Sequence, residues 1–336
     1  MSAEALAMRN RALSAALVAA ALGCFRAALP DEAARTPAIY LTVVALGYGH
    51  LIGGAVFARE RLLAWVPPGV SPRLAAAFAA SSVLTLLAAY GLATRAWPVV
   101  AAPLLALSVW HALENDLHLG RAYAAGGRSG PVPRAASHHL LSVGIAALVA
   151  AVFTASLPRA GSGVAGLGAL AGLDPGLAGG LARMTALGCG GALALGGGRG
   201  RRLAGAALAA CAWALPADLS GRVGFAEVFG AWTLYHVVSW FVLHAERSRA
   251  LRSSAPAAGR SRLRSLVAVH AAPAAACAAL LWTPIGWEHP LRVLVFSPPI
   301  YLFWASLHVA QTLALRGLEA RGQESDPSVA PLRGAC

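Results

Sequence analysis

Ten long apolar runs constrain this chain more than any other feature. They cover about 11–29, 38–58, 73–93, 97–119, 136–157, 177–197, 202–217, 223–244, 264–283 and 291–315, and run to about 16–25 residues. A helix needs about 20 apolar residues to cross roughly 30 Å of hydrocarbon. The spacing therefore predicts an all-α, polytopic transmembrane bundle of about ten helices, within a range of 8–10. Charged residues make up only 12% of the 336-residue chain, against about 25% in soluble domains. A single transmembrane domain over 1–316 is expected, followed by a disordered, polar cytoplasmic tail over 317–336. The N-terminal MSAEALAMRN lacks a signal-type cleavage site, so the first run is read as a retained helix.

The formal net charge of +13 does not point to nucleic acid. The basic residues are all arginine and fall mostly in short connections between the apolar runs. Arg59, Arg61 and Arg73 flank the second connection, and Arg121, Arg128 and Arg134 the fourth. Arg199, Arg201 and Arg202 mark the sixth, and six arginines from Arg247 to Arg264 crowd the eighth. The other connections carry few, and Arg26 and Arg35 are diluted by Asp31 and Glu32. An excess of arginine marks cytoplasmic loops. Both termini are therefore expected on the cytoplasmic side of a bacterial-type inner membrane, with membrane lipids as surroundings. The five cysteines form no CxxC pair and read as small apolar residues or a free tail thiol. The Gly/Ala-rich stretch GLGALAGLDPGLAGG suits close helix packing. No strand precedes it to make it a dinucleotide loop, and Asp174-Pro175 reads as a turn or a helix start.

Histidines carry the chemistry. His50, His111, His236 and His308 fall in four different apolar runs, each roughly 8–9 residues, or about 12–13 Å, from the expected cytoplasmic end. Imidazole is costly in lipid and usually marks a pathway or site there. Four at one depth is what a metal centre in a helix bundle requires. Haem ligation, a proton relay and interhelical hydrogen bonds are the other readings. His118, His138, His139, His244 and His270 form a shallower tier, and His289 lies in an outer loop. The site is thus placed in the cytoplasmic half. In SVWHALENDLHLGR, His111, Glu114 and His118 share one helix face by their i, i+3, i+7 spacing. Asp116 points elsewhere, toward water or an arginine. Imidazole with carboxylate suits non-haem iron with open positions for oxygen, with Glu114 as ligand or orienting group. His236 and His244 are roughly 80° apart on their helix, and Trp240 lies between them to line an apolar pocket. His138 and His139 are about 100° apart, so one of them at most faces a centre. Glycines around His50 allow a neighbouring helix to approach closely. Glu227 reads equally as a packing or gating group. The metal-ligand set read from the residues is His50, His111, His236 and His308, with His118, His139 and His244 as supplements.

The order of these motifs resembles the Brp/Blh family of bacterial membrane β-carotene 15,15′-dioxygenases, over about residues 40–315. The matching elements are Gly47–Gly54 with His50, Trp110–His118 with His111, Ser137–His139, Leu234–His244 with His236, and Ser306–Thr312 with His308. Three positions depart from that family's pattern. Gly49 stands where the family has proline, Gly54 where it has aspartate, and Trp240 where it has a second histidine. A changed ligand set using Glu114 or His244 would answer the last. The resemblance implies an oxygenase with non-haem Fe(II), O2 as co-substrate and a lipophilic, carotenoid- or isoprenoid-like substrate entering from the bilayer. The alternatives are a di-iron membrane hydroxylase or desaturase, and a non-enzymatic haem- or metal-binding protein or transporter.

Overall fold

The computed structural model describes residues 3–65, 111, 115–116, 136–156, 174–196, 198–214, 224–298, 300–301, 304–305 and 308. Among them every regular element is helical. They are α1 (Ala3–Ala28), α2 (Glu32–Trp65), α3 (Ala136–Ser156), α4 (Pro175–Leu195), α5 (Arg199–Ala214), α6 (Phe225–Ser254), α7 (Pro256–Trp282) and α8 (Pro290–Phe296). Among the described residues, four stretches are long and apolar enough to cross a membrane: Leu6–Ala28, Glu32–Gly54, Glu227–Ser254 and Pro256–Trp282. The spans expected over 73–93 and 97–119 fall almost wholly outside the described residues. So do the tail over 317–336 and GLGALAGLDPGLAGG up to residue 173.

Local chemistry explains several boundaries. Asp174 caps α4 by accepting the Gly176 N–H at 2.8 Å, with Pro175 in the first turn. Asp174-Pro175 is thus a helix start, where a side-chain acceptor and a residue lacking an N–H are both favoured. The arginine-crowded connection after the eighth run is shorter than expected. α6 continues to Ser254 and α7 begins at Pro256, so only Ala255 separates them. Arginine is a good helix former, and a helix does not stop where the lipid does. The last span, expected as one helix over 291–315, is interrupted. Ser297 is extended (φ −68°, ψ 126°) after α8, as the residue before a proline prefers. Helical backbone resumes at Pro298.

The chain falls into two compact units, Met1–Val43 with Val109–Leu243, and Val44–Ser108 with His244–Cys336. In the first, α3, α4 and α5 pack around buried Leu141, Cys189, Leu193 and Leu208. α4 and α5 cross at facing glycines. A Cβ on Gly190 would lie 2.8 Å from the Ala209 nitrogen, and one on Gly205 2.5 Å from the Gly190 carbonyl oxygen. Small residues here admit backbone-to-backbone contact. Arg183, an awkward charge within an apolar run, turns its guanidinium onto the terminal α5 carbonyls of Ala212 (2.8 Å) and Trp213 (2.6 Å). Glu227 is a buried staple. It accepts from Arg26 Nε (3.0 Å) at the end of α1, Arg35 Nε (2.8 Å) at the start of α2, and the Gly224 N–H (2.9 Å).

In the second unit, Arg292 is 7% exposed and closes the end of α7. Its guanidinium donates to the carbonyls of Leu281 (2.8 Å), Thr283 (2.8 Å) and Leu280 (3.2 Å), and lies 5.0 Å from the Trp287 ring centre. Helix C-termini leave such carbonyls without helical donors, and a cation there is favoured. Arg292→Ala is expected to cost about 1–3 kcal/mol, the penalty for stranding buried acceptors. A lowered thermal midpoint of the detergent-solubilised protein is the measurement that checks it. His289, expected in an outer loop, is the α8 N-cap, its Nδ1 accepting the Leu291 N–H at 3.3 Å.

Candidate functional site

The four histidines singled out in the sequence sit in ring-contact pairs, one pair in each unit. In the unit containing α7 and α8, His50 of α2 and His308 have ring centroids 5.0 Å apart at an interplanar angle of 71°. His50 is buried and His308 half-buried. Glycines of α2 shape this region as expected. A Cβ on Gly54 would fall 2.5 Å from His308 Cε1 and 3.0 Å from its Nδ1, so the imidazole lies on bare helix backbone. A Cβ on Gly49 would lie 2.8 Å from the Cα of His270. One on Gly47 would run into the Tyr301 hydroxyl. Tyr301 stands edge-on to Tyr48 at 5.7 Å, and the Tyr48 hydroxyl donates to the Val295 carbonyl at 3.0 Å. His270 is buried, and its Nδ1–H donates to the Leu266 carbonyl one turn back at 2.9 Å.

In the other unit, His111 and His236 have ring centroids 5.1 Å apart at 70°. Asn115 stands between their Nε2 atoms. Its Nδ2 is 2.9 Å from His111 Nε2 and 3.4 Å from His236 Nε2. Asn115 is a residue that histidine and carboxylate patterns pass over. Its signal was its position four residues after His111, the nearest same-face spacing on a helix.

Next to it, Asp116 is buried and held by an arginine, one of the two partners expected for it. Arg11 of α1 donates from Nε to Oδ1 at 2.9 Å and from Nη2 to Oδ2 at 2.8 Å. Ser142 Oγ also donates to Oδ2, and the Tyr235 hydroxyl to Oδ1 at 3.4 Å. A bidentate guanidinium and two hydroxyls take up the carboxylate's acceptor sites. Asp116 therefore tethers the helical segment carrying His111 and Asn115 to α1, α3 and α6.

The supplementary residues are placed as follows. Glu114 and His118 lie outside the described residues, as does the side chain of His138. His139 is half-buried in the first turn of α3. His244 is buried two turns beyond His236, and its carbonyl accepts from Ser248 Oγ at 2.8 Å. Trp240 is half-buried one turn after His236.

Two buried or half-buried imidazoles in ring contact are chemically versatile. Neutral imidazole offers one lone pair to a transition metal. With Asp116 committed to Arg11, the donors described around both pairs are imidazole nitrogens and one carboxamide. Comparison with protein-family models, with curated proteins and with solved structures finds no match.

Proposed function

We propose that this chain is an integral-membrane oxygenase in which His50, His111, His236 and His308 hold Fe(II). It acts with O2 on a lipophilic, carotenoid- or isoprenoid-like substrate. The observation that carries the reading is the pairing. The four histidines singled out in the sequence have rings that meet in pairs, two in each unit. The donor chemistry fits, because imidazole binds iron well and leaves positions open for a co-substrate. Bound Fe(II) would supply the electrons that activate O2. Glu114, His118, His139 and His244 are held as supplementary ligands or orienting groups.

The remaining roles belong to the chain's own side chains. Gly54 gives His308 its seat, and Asp116, tied to Arg11, fixes the segment bearing His111. Trp240 offers an aromatic face one turn from His236, suited to an extended apolar substrate. Four long apolar helices among the described residues support a multi-pass membrane protein. About ten spans in a bacterial-type cytoplasmic membrane, with both termini cytoplasmic, belong to the proposal and rest on the apolar runs and the arginine-rich connections of the sequence. On α4, Leu177, Leu181 and Met184 are all more than 60% exposed at i, i+4, i+7, an apolar face that suits lipid. The resemblance in motif order to the Brp/Blh family supports the substrate class.

Expression in carotene-producing cells tests this. Loss of pigment with formation of retinal or an apocarotenal, abolished by His111→Ala, is the expected result. No product from iron-loaded protein across carotenoid and fatty-acyl substrates would overturn the oxygenase reading.

A further inference from the structure

We infer that the carboxamide of Asn115 is itself a metal ligand, completing a donor trio with His111 and His236. The inference rests on the metal-binding reading above and adds an oxygen donor to it. The argument is geometric. Donors about 2.1 Å from a metal and about 90–110° apart are separated from one another by about 3.0–3.4 Å. The Asn115 amide terminus lies 2.9 Å from one Nε2 and 3.4 Å from the other. Those two separations are close to the edge lengths of a coordination polyhedron around a metal.

Half a turn about the Cβ–Cγ bond exchanges Nδ2 for Oδ1 at the same point, and Oδ1 is the ligating end of an amide. An oxygen donor beside two imidazoles suits iron or manganese better than an all-nitrogen set. Position favours the role as well. Asn115 is one turn from His111, and the following residue is anchored by the buried Arg11 pair. The amide is therefore held in place before any metal arrives.

The experiment measures Co(II) and Fe(II) affinity of the purified full-length protein by chelator competition. It compares Asn115→Leu, Asn115→Asp and His111→Ala, each checked for monodisperse elution in detergent. If Asn115 ligates, Asn115→Leu weakens metal binding at least tenfold. Asn115→Asp, with a stronger oxygen donor, binds as well as the parent or better, and its Co(II) visible bands shift. If Asn115 only donates a hydrogen bond, both variants lose affinity, because aspartate cannot donate; that result overturns the inference. Unchanged affinity in Asn115→Leu, alongside loss in His111→Ala, also overturns it and leaves the histidine site standing. Unchanged affinity in His111→Ala as well removes the metal-binding reading itself.

Discussion

Asp116→Ala is expected to cost about 3–5 kcal/mol and to leave little folded protein. It strands the Arg11 guanidinium, whose side chain is 5% exposed, without its counter-charge. Breaking one side of a buried ion pair carries that penalty, because the survivor keeps the desolvation and loses the attraction. Ser142 and Tyr235 lose their acceptor at the same time. Removing both charges together, as Arg11→Met with Asp116→Leu, is expected to recover most of the loss, since an apolar pair of similar volume strands nothing. Thermal unfolding of detergent-solubilised protein measures both. A single variant with parental stability would show that the pair does not carry the packing of α1 against the His111 segment.

Gly49→Leu is the second large effect. A Cβ at Gly49 would meet backbone of α7, the His270 Cα at 2.8 Å and the Val269 carbonyl oxygen at 3.1 Å. Backbone cannot swing aside as a side-chain tip does, so the helices must part. Val269 is also the residue whose carbonyl loses its usual helical donor to Pro273, four residues on. That irregular turn is what lies against α2. Overpacking of this kind costs about 1–3 kcal/mol, occasionally more. Gly23→Ala is the matched control, with nothing within 4 Å of the added carbon, and is expected to be close to neutral. A Gly49→Leu protein with an unchanged melting midpoint would mean that α2 and α7 are not in backbone contact.

Much of the helical layout was legible in the residues. Runs of lipid-spanning length are visible to hydropathy alone, and α1 to α5 match or overlap their expected spans. The misread stretches have physical causes. The Arg247–Arg264 segment reads as a loop because it is charged, whereas arginine lets α6 and α7 extend to a one-residue joint at Ala255. The break at Ser297 falls just before Pro298-Pro299, within an apolar run whose continuity reads as a single span.

The site divides in the same way. His50, His111, His236 and His308 stand out in the sequence as four costly groups at one expected depth. Which rings meet could not be read there, because that depends on how the helices are rotated against one another. The Arg11 partner of Asp116 is 105 positions away in the chain, and no periodicity links the two. Asn115 was open to discovery through its spacing from His111 but carried no charge to draw notice.

Metal content of the purified full-length protein, loaded anaerobically with Fe(II) and desalted, tests the central claim most directly. The parent is compared with His50→Ala, His111→Ala, His236→Ala and His308→Ala, and with His289→Ala as the control on a helix cap. The account predicts iron retained by the parent and by His289→Ala, and lost or sharply reduced in each of the other four while they still elute as folded protein. Iron absent from the parent, or equal in all six proteins, would contradict it.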